Sequence, residues 1–344
     1  MRATLLAGGE KRSLQSVSFE LPRESHDRVD TRADEPPVAK ASARIESYDW
    51  VRLLAAINVV LFHVSPSPTG YLGRGGVPAF LMIAASIPAM KTGLEAFGPF
   101  AAHRARRILV PWLFWSAVFG LVAGARYLHR GIVPEWTVHE LLIGTSMHLW
   151  FFPAVFVGTL LVWIVLRLID PLDNSRALVL ILGGGLGLFA IHAWLSKNGA
   201  LSVPYGHWAF AAPALAIGMA LGLACRESNR SRRAALVITV GFAAVLGAGL
   251  HWAIDEKGSA ISYFLAGTAL PATLLLPLRS GVVLQSFTRV SLGVYALHPL
   301  VYLGLQSFVG PRLNTVWIAL PAVFLGAVAI AALMRLTRWG KALV

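Results

Sequence analysis

From about residue 50 to residue 335 the chain is a succession of apolar runs separated by short polar connections. A helix needs about 20 mostly apolar residues to cross a bilayer. Runs near that length lie at 50–65, 75–91, 108–128, 148–168, 177–196, 208–225, 234–253, 261–278, 290–309 and 315–335. Backbone polar groups in lipid must be satisfied within the segment, so these runs predict helices. The expectation is an all-α, polytopic transmembrane bundle of about ten spans. The second run is short and holds Pro78 and Pro88, which predicts a kinked or re-entrant helix. Residues 1–43 are rich in Arg, Glu, Asp and Ser and contain no apolar run of signal-peptide length. They read as a disordered cytoplasmic tail ahead of one membrane domain, 44–344.

Composition agrees with this class, at 56% hydrophobic and 14% charged residues over 344 positions. The net charge of +13 raises the question of nucleic acid. The basic residues, however, sit in short clusters between apolar runs, so membrane orientation explains them and no nucleic-acid partner is expected. With the N-terminus inside, the inner connections hold Lys91, Arg104, Arg106 and Arg107, then Arg167 and Arg176, then Arg226, Arg230, Arg232 and Arg233, then Arg279 and Arg289, and last Arg335, Arg338 and Lys341. The outer connections hold only Arg74, Arg126, Arg130, Lys197, Lys257 and Arg312. That bias predicts both termini in the cytoplasm. The single cysteine, Cys225, excludes an intrachain disulfide and a thiolate metal cluster. No phosphate-binding glycine motif and no internal repeat is visible, and Gly183, Gly184, Gly185, Gly187, Gly218 and Gly222 read as helix-packing positions.

Chemistry enters in the first run. In Asp49–His63, DWVRLLAAINVVLFH, Arg52 and His63 are eleven positions apart. At about 100° and 1.5 Å per residue they share one helix face, within roughly 20° of each other and on the order of 16 Å apart along the axis. Ionisable groups inside a span are costly and read first as functional. A histidine facing a cavity can remove a hydroxyl proton or act as a nucleophile, so His63 is a candidate for acyl-transfer chemistry. Asp49, one turn before Arg52, is its expected ion-pair partner.

Three further stretches carry polar residues in unusual places. HRARRILVPWLFW, residues 103–115, puts Arg104 and Arg107 three apart at the start of a span, and guanidinium forks suit phosphate. MHLWFFPAVF, residues 147–156, holds His148 beside Trp150 at the entry to another span. SLGVYALHPLVY, residues 291–302, buries His298 in an apolar run, with Pro299 after it to free backbone carbonyls. His103, His129, His139, His192, His207 and His251 fall at span ends or in loops and are expected to be interfacial, and Asp255 and Glu256 to be external and solvated.

Together these stretches resemble the acyltransferase type 3 family of integral-membrane acyltransferases. The likeness rests on Asp49-x-x-Arg52 with Arg52-x10-His63, on GVPAFLMIAASIP at 76–88, on Arg104-x-x-Arg107 followed by Pro111 and Trp112, on HLW at 148–150 and on SLGVYALHPLV at 291–301. It runs from about residue 44 onward, and the HLW form resembles the shorter, stand-alone branch. The resemblance implies transfer of an acyl group, most often acetyl from cytoplasmic acetyl-CoA, to a hydroxyl of a surface glycan or lipid-linked saccharide at a bacterial-type inner membrane. It implies His63 as the catalytic histidine and Arg52 as its essential partner. Arg104 and Arg107 would hold the CoA phosphates, while Asp49, His148 and His298 occupy further motif positions. No metal is expected. The second span departs from the family, with Val77-Pro78-Ala79-Phe80 and Ala84-Ala85-Ser86 where many members have Phe-Phe and then Ser-Gly. The competing class is a transporter or flippase of lipid-linked glycans, for which apolar spans with buried polar residues are equally natural.

Overall fold

The computed structural model describes residues 45–65, 73–131, 143–254, 257–310, 313 and 315–344. The tail expected over 1–43 lies outside these residues, as do His139, Asp255, Glu256 and Arg312. Each of the ten apolar runs forms a helix. They are α1 Ser47–Val64, α2 Gly76–Ala89, α3 Phe97–His129, α4 Phe151–Ile169, α5 Asn174–Lys197, α6 Tyr205–Cys225, α7 Arg230–Ala253 and α8 Lys257–Leu275, then, after the short α9 Val282–Thr288, α10 Ser291–Val309 and α11 Val316–Met334. A last turn, α12, covers Gly340–Leu343, and a 3-10 turn, Met147–Trp150, leads into α4.

Eight of these helices are long and apolar enough to cross a membrane among the described residues, namely α3 to α8, α10 and α11. The two exceptions have different causes. Helix α1 has 18 residues but carries Asp49, Arg52, Asn58 and His63. Helix α2 has 14 residues, about 21 Å of rise against a hydrocarbon layer of about 30 Å. Helix α2 lies inside the bundle, and α1 sinks one face into it while Leu54 and Phe62 stay exposed. Val51, Ala55, Ala56, Val59 and Val60 of α1 are buried, and so is most of α2, from Leu81 and Met82 to Ala89. The helices around them turn large apolar side chains outward instead, such as Leu113, Leu121 and Leu128 of α3 and Trp317, Leu325 and Leu333 of α11. An apolar outer surface with polar residues turned inward is what lipid as solvent demands.

Close approach holds α2 in place. Gly218 and Gly222 face it from α6, and a Cβ at Gly218 would overlap the Met82 carbonyl while one at Gly222 would meet Ala89 and the Ser86 carbonyl. Small residues allow backbones to come this near, which gives packing contacts that lipid cannot supply. The Arg226 Nε–H, just past α6, donates to the Ala89 carbonyl at 2.6 Å and satisfies one of the carbonyls left open at the end of α2. The packing expectation fails at the other glycine run. Gly183, Gly184 and Gly187 of α5 face open space, and only Gly185 meets a neighbour, Ala216. That face of α5 is turned away from the bundle, with Val179 and Leu180 exposed on the same helix.

Helix α3 begins eleven residues before the expected 108, at Phe97. Pro99 falls in its first turn, where the missing N–H is harmless, so the basic segment continues the helix instead of forming a loop. The start of α1 is tied to the segment after α8. The Trp50 indole donates to the Arg279 carbonyl at 3.1 Å, and the Ser280 N–H donates to the Glu46 carboxylate at 2.7 Å.

Replacing Gly218 by Leu forces α2 and α6 apart along their length. Overpacking of this kind costs about 1–3 kcal/mol, and the expected outcome is a clear fall in the melting temperature of the detergent-solubilised protein, whereas Gly184→Leu leaves it close to wild type.

Candidate active site

The polar residues of α1 divide between its two ends. At the start, Arg52 Nη1 donates to Asp49 Oδ1 at 3.3 Å, one turn apart on the helix. The Asp49 carboxylate is fully buried and the Arg52 side chain 26% exposed, so the pair joins the interior to its rim. At the other end, eleven residues and on the order of 16 Å further on, His63 stands in the wall of a cavity of about 550 Å³.

Two more histidines meet it there. The His63 ring centroid lies 4.8 Å from that of His298 and 6.4 Å from that of His148, and His148 and His298 are 5.7 Å apart. Each ring comes from a different element: α1, the 3-10 turn before α4, and the middle of α10. His298 is fully buried and His148 nearly so, whereas His63 is open to the cavity.

Local structure sets the orientation of the two buried rings. The His298 Nδ1 lies 2.8 Å from the Tyr295 carbonyl and 3.3 Å from that of Val294, one turn back on α10. A carbonyl only accepts, so Nδ1 carries the proton, and the neutral ring keeps its lone pair on Nε2. His148 is set by three contacts. Its Nδ1 lies 3.0 Å from the Ser146 hydroxyl, the Tyr295 hydroxyl donates to its backbone carbonyl at 2.5 Å, and Phe119 of α3 meets its ring edge-on at 4.7 Å. The Nε2 atoms of His148 and His298 are both buried and make no hydrogen bond among the described residues. Buried polar atoms are nearly always paired, so two unpaired ring nitrogens beside an open imidazole, that of His298 a lone pair, mark a place for a polar occupant.

Arg104 and Arg107 are elsewhere. The Arg104 guanidinium stacks on Phe100 at 5.3 Å and borders a recess of only about 20 Å³ together with Lys91, Glu95 and Trp163. Arg107 is exposed and is not part of that recess. Phe119 touches His148, so the fifteen residues back to Arg104 set these two ends of the bundle about 22 Å apart along α3. The site residues expected from the sequence thus form three groups. His63, His148 and His298 share one point, Asp49 and Arg52 form a pair at the far end of α1, and the arginines of α3 lie near the start of their own helix.

Other cavity residues escaped sequence reasoning. Arg74, Trp150, His192, His207 and Tyr295 all line it, the Arg74 guanidinium sitting 5.5 Å over Phe62. For His192 and His251 the expectation of an interfacial place is wrong. They are 4% and 0% exposed, because α5 and α7 pack together at that level and bond one ring to the other at 2.7 Å. Partners 59 positions apart leave no local spacing to read. His103 and His129 are exposed, as expected. Among the described residues no group of three or more His, Cys, Asp or Glu has the geometry to hold a metal ion.

An apolar helix bundle whose interior gathers imidazoles around a cavity is a membrane protein built for chemistry or passage on a polar molecule. A family model described as an acyltransferase domain matches residues 45–336, and the chain belongs to this family, the membrane-bound acyltransferase 3 family. No curated protein and no solved structure matches it significantly.

Removing the Tyr295 hydroxyl tests the support of the cluster. In Tyr295→Phe the buried His148 carbonyl loses its donor, a loss worth about 1–3 kcal/mol. The expected result is a lower melting temperature together with reduced acyl transfer, read by thermal scanning and by label transfer from acyl-CoA.

Proposed function

We propose that this acyltransferase moves an acyl group, acetyl in the first instance, from cytoplasmic acyl-CoA to a hydroxyl of a surface or exported glycan or lipid-linked saccharide. The observation that carries the reading is the meeting of the His63, His148 and His298 rings, with His63 and His148 in the wall of one cavity and His298 buried directly behind them. The cavity is lined by the end of α1, the start of α6 and the start of α8, ends that the Lys/Arg bias assigns to the exterior. Asp49, Arg52 and Arg104 belong to the opposite, cytoplasmic ends. This division supports a donor entering from the basic side and an acceptor from the other, with both termini in the cytoplasm of a cell with a bacterial-type inner membrane.

In this mechanism Arg104, with Arg107 and Lys91 nearby, binds the CoA phosphates, and the pantetheine arm carries the thioester along the bundle towards His63. Arg52, held by Asp49, positions the donor; at on the order of 16 Å from His63 it cannot touch the reacting carbonyl. Two routes fit the open His63 ring. In the first it takes the hydroxyl proton as the acceptor oxygen attacks the thioester carbonyl, and the C–S bond breaks to release CoA, whose sulfur receives the proton. In the second a His63 nitrogen attacks the carbonyl, CoA leaves as the thiol, and the acceptor hydroxyl then displaces the acyl group from the imidazole. The Nε2 lone pair of His298 would accept a hydrogen bond, and the unpaired Nε2 of His148 would make one, with the acceptor or with water held beside it.

Removal of the base is expected to lower the rate by about 10²-fold or more. Acetyl transfer from labelled acetyl-CoA in membrane vesicles, compared between wild type and His63→Ala, measures this directly, and full activity in the variant would contradict the assignment. Donor binding is tested separately. CoA is expected to raise the melting temperature of the purified protein, and Arg104→Ala to lose most of that stabilisation; an equal shift in both proteins would remove Arg104 from the donor site.

A further inference from the structure

The histidine cluster leaves another part of the cavity wall unexplained. There His192 of α5 lines the cavity while its Nδ1 lies 2.7 Å from Nε2 of the fully buried His251 on α7. His251 in turn presents its Nδ1 to the Gly247 carbonyl, one turn back, at 3.0 Å. The chain of bonds has a direction. The carbonyl only accepts, so Nδ1 of His251 carries a proton, and for neutral rings its Nε2 is a lone pair. His192 must then donate through Nδ1, which leaves its own Nε2 as a lone pair. That nitrogen makes no hydrogen bond among the described residues and is not among their buried unpaired atoms.

The surroundings keep this orientation. Phe189 packs edge-on to His251 at 5.9 Å, and Tyr263 lies 5.2 Å from the same ring. The Tyr263 hydroxyl is bonded to the Phe210 carbonyl at 2.7 Å, so it does not compete for either imidazole. Gly247 makes room, since a Cβ there would run into the Phe189 ring. A network in which every inner nitrogen is paired fixes the orientation of the outer ring and, while the rings are neutral, its tautomer.

We propose that His192 is an acceptor-binding, specificity-determining residue: its Nε2 accepts a hydrogen bond from a hydroxyl of the acyl acceptor, and His251 is the positioning residue that fixes it as an acceptor. The site therefore selects polyhydroxylated molecules that carry a second hydroxyl beyond the one acylated, as saccharides do. A site built to accept from a hydroxyl also discriminates against molecules without one, because the bound molecule would cover the Nε2 lone pair and leave it without a partner. The inference rests on the acyl-transfer reading above, and the two fail in different ways.

The test uses inside-out membrane vesicles of the source cell, which hold the native acceptor, with labelled acetyl-CoA as probe. The readout is the ratio of acetyl transferred to membrane-held glycan to acetyl released by hydrolysis. In His192→Asn the amide nitrogen replaces Nδ1 and keeps the bond to His251, but nothing replaces Nε2. In His192→Gln the amide oxygen stands near the Nε2 position while the inner bond is lost. The expected result is a ratio at least fivefold lower in His192→Asn, with His192→Gln closer to wild type, and a smaller fall in His251→Leu. The reverse order, with Asn like wild type and Gln impaired, would assign the pair a purely structural role and overturn the proposal, as would an unchanged ratio in both. Wild-type vesicles that transfer no label would instead overturn the acyl-transfer reading on which it stands.

Discussion

An imidazole inside a helix bundle has two ring nitrogens to satisfy and no bulk water to satisfy them with. This constraint shapes the interior of the protein. His251 meets it fully, bonding to His192 and to the Gly247 carbonyl, while His192 pairs its Nδ1 and leaves Nε2 without a bond among the described residues. His148 and His298 meet it only halfway: each uses Nδ1 on a nearby oxygen and leaves Nε2 buried and unpaired among the described residues. An unmet bond in a low-dielectric site costs stability, and such a deficit persists where a bound molecule makes it good. The half-paired rings flank His63, the most exposed member of the cluster.

The same constraint explains how α1 carries its polar residues. α1 and α2 fall short of the eight long apolar helices, and α2 is mostly buried while α1 sinks one face into the bundle. Lipid excludes charged and imidazole groups, so a helix holding Asp49, Arg52 and His63 is tolerable only inside. The close packing of α2 on α6 through Gly218 and Gly222 then fixes the inner layer against which α1 lies. Outer helices such as α11, with almost uniformly apolar surfaces, supply the solvent boundary and leave the chemistry to the interior.

Much of this was legible in the sequence. Hydropathy located all ten helices, since each apolar run is long enough to be periodic and is bounded by charge. Helical spacing placed Arg52 and His63 at opposite levels of one helix, and the i to i+3 relation of Asp49 and Arg52 gave their pair. Two things were hidden. The length of α3 was underestimated because its first turns are basic, and basic residues read as a connection although Pro99 in the first turn does not stop a helix. The second wall of the cavity was invisible because it depends on α5 meeting α7. His192 and His251 carry no local mark of that meeting, and only Gly247, one turn before His251, hints at a close contact.

The account stands on a division of the molecule into a basic donor end and a histidine-lined acceptor end. Sealed membrane vesicles of known orientation test it most directly, because acetyl-CoA does not cross the bilayer. With labelled acetyl-CoA supplied outside, inside-out vesicles, which in the proposed orientation present the Arg104 end to the medium, are predicted to incorporate label into glycan, and right-side-out vesicles are not. Incorporation in right-side-out vesicles equal to or above that in inside-out ones would contradict the division, and with it the assignment of the donor to the basic face.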